Sequence, residues 1–379
     1  MNIVTKIKQL IEELCPNGIS YKELQDILTI KNGSDYKNLG EGDFPVYGSG
    51  GIMTYVDRFA YDKPSVLIPR KGSIDKLYYV DTPFWNVDTI FYTEINTDVA
   101  IPKFVFYCLQ KQHLEELNTA GGVPSLTQKV LNKVKIPVPP LPVQEEIVRI
   151  LDTFTELTAE LTAELTARKQ QYEHYTYQLL NFDDTVQTHR LRELIDFRNG
   201  KGHEKDIVSD GKYIVVNSKF ISTNGEVKKY SNKQICPLFV DDILMVMSDL
   251  PNGRALAKCF LVAEDDKYTL NQRIGAFHVK DESVIKTKFL LYVLNRNQQL
   301  LKYDNGVDQT NLRKDDILDI MIPIPSIEEQ ERIVAILDRF DTLCNDISEG
   351  LPAEIEGRRK QYEYYRDKLL TFKEKEKQR

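Results

Sequence analysis

The sequence has few of the residues that build metal sites or disulfide frameworks. Among its 379 residues are 5 cysteines, 5 histidines and 1 tryptophan. The cysteines, at positions 15, 108, 236, 259 and 344, show no Cys-x-x-Cys spacing, and the histidines show no metal-ligand spacing. Lys6, Lys8, Glu12 and Glu13 give the N-terminal segment helical charge spacing, unlike a signal peptide or a membrane span. We therefore expect reduced thiols, no bound metal, no membrane association and a cytoplasmic protein.

Motifs for nucleotide or methyl-transfer chemistry are also missing. The chain has no Gly-x4-Gly-Lys-Ser/Thr phosphate loop and no Asn-Pro-Pro-aromatic motif of an amino-methyltransferase. Gly48-Ser49-Gly50-Gly51 lacks the lysine of a phosphate loop and indicates a tight turn. Asp265-Asp266-Lys267 matches half of a nuclease carboxylate-lysine motif, but no upstream acidic strand completes it. We therefore predict a chain that is not an enzyme.

What the sequence does contain is a repeat. Ile136-Pro137-Val138-Pro139 opens a stretch that runs to Phe182, and Ile322-Pro323-Ile324-Pro325 opens a matching stretch that runs to Phe372. The two copies are offset by 186 residues from Leu141 to Phe154 and by 190 residues from Tyr172 to Phe182. We call residues 136–182 connector 1 and residues 322–379 connector 2. The segments before them, residues 1–135 and 183–321, are head 1 and head 2.

The repeat extends into the heads. Ile30-Lys31-Asn32-Gly33 recurs as Phe197-Arg198-Asn199-Gly200 at an offset of 167, and Ser125-Leu126 returns as Asn311-Leu312 at 186. Between them, Val87-Asp88-Thr89 matches Leu270-Asn271-Gln272 at 183. The anchors recur while the intervening loops differ, which predicts two heads of one fold that bind different ligands.

The net charge of −7 lies mainly in the connectors. The two heads sum to −1 and the connectors to −6. Because phosphate neutralisation supplies most non-specific affinity for DNA, we expect the chain alone to bind DNA weakly and to gain positive charge from a partner.

Both connectors have the periodicity of long helices. Apolar and aromatic residues alternate steps of four and three in connector 1, as in a coiled-coil seam: Ile147, Leu151, Phe154, Thr158, Leu161, Leu165, Arg168, Tyr172, Tyr175, Leu179 and Phe182. The seam of connector 2 contains Ile333, Leu337, Phe340, Cys344, Ile347, Leu351, Ile355, Arg358, Tyr362, Tyr365, Leu369 and Phe372, although Gly350 and Pro352 can interrupt the helix. We predict that the two seams pair with each other, antiparallel, about a pseudo-twofold axis. The alternative is that each seam packs only on its own head or on a partner.

In this order, these features resemble the specificity subunits of type I restriction-modification systems. The resemblance covers essentially the whole chain. It includes Leu14-Cys15-Pro16-Asn17-Gly18 leading into Leu24, and the Lys71-Gly72-Ser73 turn before Tyr78-Tyr79-Val80. Both proline-rich entries, with the helices that contain Gln144 and Gln330, complete it. Each motif is weak alone, but their order and duplication are specific.

The resemblance implies an α+β fold with two pseudo-repeated mixed α/β target-recognition domains, spaced by two long helices that form an intramolecular coiled coil. Each domain is expected to read one part of a split, asymmetric site on double-stranded DNA. Two methyltransferase subunits are expected to dock around the helices and to bring S-adenosylmethionine. Restriction subunits, with ATP and Mg²⁺, are further expected partners. The helix residues expected in the seam or in partner docking are Gln144, Ile147, Leu151, Phe154, Tyr172, Gln330, Ile333, Leu337, Phe340 and Tyr362.

Candidate DNA contacts lie on loops after two predicted buried strands, Val66–Pro69 and Ile243–Met247, and before the proline entries. Arginine and lysine pair with guanine, asparagine and glutamine with adenine, and serine suits a phosphate. In head 1 the candidates are Lys31, Asn32, Arg70, Lys71, Ser73 and Lys76; in head 2 they are Arg198, Asn199, Ser248, Asn252, Arg254, Gln309, Thr310, Asn311, Arg313 and Lys314. The recurring Lys31-Asn32-Gly33 and Arg198-Asn199-Gly200 are either a shared turn or a shared phosphate contact. An alternative function is a scaffold whose two heads bind proteins.

Overall fold

The computed structural model describes residues 3–118, 124–251, 255–346 and 349–375. It divides into two compact units. Unit 1 comprises Met1–Glu164 and Pro352–Arg379, and unit 2 comprises Leu165–Leu351. Each unit therefore contains one head together with a part of each connector.

Unit 1 is built around an antiparallel sheet that helices cover. Its helices are α1 (Ile3–Leu14), α2 (Pro102–Lys111) and α3 (Gln128–Leu131), followed by α4 (Leu141–Leu180), which continues into unit 2. Its strands are β1 (Tyr21–Glu23), β2 (Leu28–Asn32), β3 (Phe44–Gly48), β4 (Gly51–Val56), β5 (Ser65–Pro69), β6 (Tyr78–Val80), β7 (Trp85–Asn86), β8 (Ile90–Ile95) and β9 (Lys135–Pro137). The main sheet has the order β2-β8-β5-β6, and a smaller sheet has the order β4-β3-β7. All five residues of β5 are buried, as the sequence predicts for this apolar run.

Unit 2 repeats the architecture with different insertions. Its strands are β10 (Thr188–Arg190), β11 (Ile195–Asn199), β12 (Ile207–Val208), β13 (Tyr213–Val216), β14 (Tyr230–Ser231), β15 (Ile243–Val246), β16 (Ser248–Asp249), β17 (Cys259–Leu261), β18 (Tyr268–Leu270), β19 (Ile274–Val279), β20 (Thr310–Asn311) and β21 (Met321–Pro323). Its helices are α5 (Leu191–Leu194), α6 (Ser218–Ser222), α7 (Thr287–Leu294), α8 (Gln298–Leu301), α9 (Lys314–Leu318) and α10 (Ile327–Asn345). The main sheet has the order β11-β19-β15-β17, which matches β2-β8-β5-β6 strand for strand.

The recurring glycine after the first sheet strand has a steric cause in both units. A Cβ on Gly33 would lie 2.1 Å from the carbonyl oxygen of Val87, and a Cβ on Gly200 would lie 1.8 Å from that of Asn271. Only glycine permits this close approach of two backbone segments. The same contact shows that Val87 is equivalent to Asn271, an offset of 184, so the sequence alignment at 183 was wrong by one residue. The structure thus supports a shared turn as the reason for the Asn-Gly recurrence.

Connector 1 forms the single helix α4. Between Thr158 and Tyr172 the predicted seam residues are half-buried, and the residues between them are exposed. In unit 1 the ring of Phe154 stacks on that of Tyr365, with centroids 5.2 Å apart. In unit 2 the ring of Tyr172 stacks on that of Phe340, with centroids 6.0 Å apart. Later residues of α4 meet earlier residues of connector 2, so the paired helices run antiparallel.

Connector 2 forms two helices, so the spacer predicted across residues 322–379 is interrupted, a possibility that the sequence left open. Helix α10 ends at Asn345, and α11 (Leu351–Leu369) begins six residues later. Asp346 leaves the helical conformation with ψ 121°, and Pro352 stands in the first turn of α11. The interruption lies where Gly350 and Pro352 predict it. Seam residue Ile347 lies outside the described residues.

The five cysteines form no disulfide; Cys108 and Cys344 are buried. Burial raises the pKa of the Cys108 thiol. Within the described parts of the chain, no three His, Cys, Asp or Glu side chains are grouped so that they could hold a metal ion. Among those same residues, no helix has the length and apolar character needed to span a bilayer.

Candidate nucleic-acid interface

In unit 1, polar residues from three separate segments converge at one end of the main sheet. Asn32 ends β2, Arg70 follows β5, and Gln128 begins α3. The Asn32 Oδ1 accepts hydrogen bonds from Arg70 Nη1 and from Gln128 Nε2, each at 3.4 Å. Lys71 and Ser125 form an antiparallel bridge, which joins the loop after β5 to the loop before α3. We call Asn32, Arg70, Lys71, Ser125 and Gln128 cluster 1.

Arg70 is held in place by its neighbours in unit 1. Its backbone N–H donates to the carbonyl of Thr89 at 2.9 Å, and its own carbonyl accepts from the N–H of Leu126 at 2.9 Å. The guanidinium lies 5.0 Å from the centroid of the Phe91 ring, within cation–π range. Its Nε is buried and has no hydrogen-bond partner in the described structure. The side chain is therefore anchored while several N–H groups can still bind an external acceptor.

The remaining candidates of head 1 lie in the loop that Arg70 begins. Lys71 and Lys76 are exposed, and Ser73 is half-buried. The loop turns back on itself, because Ile74 N–H donates to the carbonyl of Gly72 at 2.8 Å. The Gly48–Gly51 turn, predicted from its glycines, is the tip of the β3-β4 hairpin and lies against this loop: Tyr78, in β6, donates to the Ser49 carbonyl at 3.2 Å.

The recurring basic residues Lys31 and Arg198 pair with other groups of their own units, and their contact with DNA stays a prediction. Successive residues of a strand face opposite sides of a sheet, so each points away from its neighbouring asparagine. Lys31 Nζ lies 3.5 Å from a Glu94 carboxylate oxygen on the adjacent β8. Arg198 donates to the buried carboxylate of Asp242 and, at 2.9 Å, to the carbonyl of Pro237. Both basic side chains therefore contact the scaffold of their own unit.

Unit 2 has an equivalent convergence with different side chains. Ser248 pairs with Asn311 where β16 meets β20. The Ser248 Oγ lies 2.7 Å from Asn311 Oδ1 and accepts from Gln309 Nε2 at 2.8 Å. Lys314 Nζ lies 5.3 Å from the centroid of the Phe197 ring, on the strand that ends at Asn199. We call Asn199, Ser248, Gln309, Asn311 and Lys314 cluster 2.

Some predicted residues of head 2 are not available at this surface. Ser248 and Thr310 are buried, with 7% and 8% of their surface exposed, so little of Ser248 is open to the phosphate contact that its residue type predicts. Instead its hydroxyl orients the amides of Gln309 and Asn311. The side chains of Asn199, Gln309, Asn311, Arg313 and Lys314 are exposed. Asn252 and Arg254 lie outside the described residues.

Backbone contacts make the two clusters equivalent position by position. The Leu126 N–H donates to the carbonyl of Arg70, as the Leu312 N–H donates to that of Met247 at 2.8 Å. Arg70 thus corresponds to Met247, and Lys71 to Ser248. At the 186 offset, Gln128 corresponds to Lys314. Sequence reasoning named Lys314 and missed Gln128, although the offset was sufficient to find it.

Each head is joined to its connector helix by a buried glutamine. Gln144 Oε1 accepts from the Ile101 N–H at 2.9 Å, and its Nε2 donates to the carbonyls of Val99 at 3.0 Å and Pro139 at 2.7 Å. Gln330 makes the same bonds: its Oε1 accepts from Lys286 N–H at 2.9 Å, and its Nε2 donates to the Val284 and Pro325 carbonyls at 3.0 Å. Both side chains are fully buried. They therefore position the connector helix within their own unit, and neither side chain is exposed to a docking partner.

A second contact between head and connector helix occurs in both units, and in each it is made by an aspartate on the connector helix. Asp152 accepts hydrogen bonds from Tyr107 and, at 2.8 Å, from Lys103, both on α2. Asp338 accepts from Tyr292 at 2.6 Å and from Lys288 at 2.7 Å, both on α7. Burial and the adjacent aspartate raise the pKa of each tyrosine, so the hydroxyls stay protonated as donors. Sequence reasoning missed these two contacts between aspartate, lysine and tyrosine, although all three residue types recur at offsets of 185 or 186.

The other predicted seam residues form the core beneath each junction. Ile147, Leu151, Ile333 and Leu337 are fully buried. Tyr362 is half-buried, and its hydroxyl donates to Gln110 Oε1 on α2 at 2.7 Å. Burial raises the pKa of Tyr362 to about 12. The seams therefore pack on a head in addition to pairing with each other, so the pairing predicted from the sequence occurs, but it is not their only contact.

A family model described as the type I restriction modification DNA specificity domain matches residues 16–168 and again residues 183–357. The chain belongs to this family. As a member with two such domains, it is a DNA sequence-recognition subunit of a type I restriction-modification system. The duplicated clusters therefore lie in domains whose family description is DNA specificity.

Curated relatives and solved structures agree with this membership. The chain is 29% identical over 396 residues to a putative type I restriction enzyme specificity subunit of Haemophilus influenzae, covering 97% of this chain and 98% of the relative. It is 33% identical over 306 residues to the EcoR124I/EcoR124II specificity subunit of Escherichia coli, covering 74% and 73%. The fold resembles a type I restriction-modification S subunit from M. genitalium, with a TM-score of 0.59 and 16% identity over 93% of this chain and 96% of that structure.

Proposed function

We propose that each head reads one half of a bipartite, asymmetric DNA site, and that the chain itself catalyses no reaction. Head 1 (residues 1–135) and head 2 (residues 183–321) are the target-recognition domains in this proposal. The connectors, residues 136–182 and 322–379, set the half-site spacing. The observation that carries it is the pair of equivalent clusters, because the same backbone contacts display different side chains in the two units. Such an arrangement suits direct readout of different bases.

The proposed DNA-facing set comprises exposed or half-buried side chains in or beside the two clusters. In head 1 it comprises Asn32, Arg70, Lys71, Ser73, Lys76 and Gln128; in head 2 it comprises Asn199, Gln309, Asn311, Arg313 and Lys314, with Asn252 and Arg254 retained from the sequence. The acidic connectors oppose DNA binding by the chain alone. Two methyltransferase subunits that dock on the connectors would supply positive charge and the S-adenosylmethionine chemistry. A restriction subunit, where present, would bring ATP and Mg²⁺.

The proposal predicts that DNA recognition depends on the methyltransferase partner. The chain alone is expected to bind DNA weakly and without sequence preference, whereas the complex reconstituted with the methyltransferase subunit of its own system binds one sequence tightly. Gel-shift titration at fixed salt measures both. Incubating the chain alone with DNA, Mg²⁺ and S-adenosylmethionine should give neither cleavage nor methylation; turnover in that reaction would contradict the proposal.

Arg70→Ala is expected to relax discrimination in one half-site only. A guanidinium that pairs with a base through two hydrogen bonds contributes about 1–3 kcal/mol of discrimination, or roughly 5- to 150-fold. Arg70→Lys should not restore it, since an ammonium cannot reproduce the planar pair of donors. Competition binding with single-base variants of the target measures the effect. Arg58→Ala, an exposed arginine beyond the end of β4 remote from the hairpin turn, is the matched control. If both alanine variants discriminated equally between the target and its single-base variants, Arg70 would not be a base-reading residue.

A further inference from the structure

The surface beside cluster 1 is basic, and the equivalent surface in unit 2 is acidic. Lys129, Lys133 and Lys135 are exposed and follow Gln128 along the chain. At the 186 offset, the positions of Lys129 and Lys133 are occupied in head 2 by Asp315 and Asp319. The two heads share the backbone frame here and differ in the sign of the charge it carries.

In unit 2 the acidic side chains are neutralised within the unit. Asp319 lies 2.8 Å from a guanidinium nitrogen of Arg192 and 3.4 Å from one of Arg190, and Asp315 lies 3.8 Å from Arg192. At the 167 offset, Arg190 and Arg192 correspond to Glu23 and Gln25 of unit 1.

In unit 1 the equivalent side chains leave the lysines without partners. Glu23 and Gln25 hydrogen-bond to each other, with the Gln25 Nε2 2.8 Å from a Glu23 oxygen. Across the described residues, none of the three lysines takes part in an ion pair. Unit 1 therefore presents Lys129 and Lys133 without ion-pair partners where unit 2 pairs Asp315 and Asp319 with arginines. Lys135 lies opposite Glu23 across the β1-β9 pair without forming an ion pair.

The three lysines border a groove beside α3. The groove has a volume of about 570 Å³, and Leu117, Val130 and Val134 line it between the lysines. Apolar lining of this kind accommodates the lysine stems while the ammonium groups stay in water. Its position is fixed, because β9 pairs with β1 and Gln112 Nε2 donates to the Lys135 carbonyl at 3.3 Å.

We infer that Lys129, Lys133 and Lys135 bind the DNA sugar-phosphate backbone beside the half-site that head 1 reads. Gln128, the residue before Lys129, hydrogen-bonds to Asn32 within cluster 1, so DNA bound at that cluster passes next to Lys129. The groove leads from Lys129 to Lys133 and Lys135. Duplex DNA carries one negative charge per about 1.7 Å of its axis, which matches a row of unpaired cations. Head 1 thereby supplies sequence-independent affinity that head 2 lacks at its equivalent surface. This inference rests on the proposed function.

The test compares Lys129→Ala/Lys133→Ala with wild type in the reconstituted methyltransferase complex, by measuring DNA affinity against salt. Each lost phosphate contact changes the slope of log affinity against log salt by about 0.9, so a fourfold rise in salt should weaken the double variant about tenfold less than wild type. The loss should be equal on target and scrambled DNA, because phosphates carry no sequence information. Lys129→Arg/Lys133→Arg keeps the charges and should keep the wild-type slope.

Lys8→Ala/Lys63→Ala is the control with the same change in net charge. Lys8 lies on α1, and Lys63 precedes β5, at the opposite end of that strand from Arg70. The control should keep the wild-type slope, and equal slopes for the two alanine variants would overturn the inference. Loss of the methyltransferase subunit from the double variant on size-exclusion chromatography would also overturn it, by assigning the lysines to an acidic protein surface. A wild-type complex without sequence preference would contradict the proposed function instead. The slopes of log affinity against log salt would still show whether the lysines contact phosphates.

Discussion

Gln144→Leu is expected to destabilise unit 1 by about 3 kcal/mol. Leucine has a similar volume but leaves the Ile101 N–H and the Val99 and Pro139 carbonyls without their partner. Each polar group left unsatisfied in the interior costs about 1–3 kcal/mol, and relaxation of the surroundings recovers part of the sum. Because the glutamine is fully buried, water does not replace the lost bonds in the native packing. Gln330→Leu should have the same effect on unit 2, through Lys286, Val284 and Pro325.

Amide hydrogen exchange followed by mass spectrometry measures each unit separately. Peptides covering residues 99–111 should lose protection in Gln144→Leu, and peptides covering residues 284–294 should lose it in Gln330→Leu. Gln178→Leu places the same substitution at an exposed position of α4 and should change the free energy of unfolding by less than about 0.5 kcal/mol. Unchanged protection near Ile101 in Gln144→Leu would show that the amide does not hold the junction.

The repeat allowed most of the architecture to be predicted from the sequence. Apolar runs identified β5 and β15, and the steps of four and three along connector 1 identified α4 and its buried stripe. The proline at position 352 indicated the break in connector 2, where the structure ends one helix and begins another. These features depend on local periodicity and on residues with restricted backbones, so a single sequence contains enough information to find them.

The candidate site was less predictable because it depends on side-chain direction and on packing between distant segments. Lys31 and Asn32 are neighbours in sequence, yet the alternation of a strand sends one to Glu94 and the other to Arg70 and Gln128. Ser248 is a loop residue by sequence, but pairing with Asn311 buries it. The hydrogen bonds at Gln144 and Asp152 were not predicted, since a polar residue on a helix gives no sign of the groups it will meet.

Exchange of head 2 has the largest expected effect on function. Replacing residues 183–321 with the corresponding head of another family member should give a complex that methylates a new sequence in one half-site and retains the other half-site unchanged. The reason is that cluster 1 lies wholly within unit 1 and cluster 2 wholly within unit 2. The bonds of Gln330 and Asp338 to head 2 involve Val284, Lys286, Lys288 and Tyr292, so the incoming head must supply their equivalents.

The direct measurement is a map of methylated positions in DNA modified by the reconstituted complex, for the wild-type chain and for the exchanged chain. Two separated half-sites in the wild-type map, with one of them altered by the exchange, are the predicted result. An identical map for both chains, or a change in both half-sites together, would contradict the assignment of one half-site to each head.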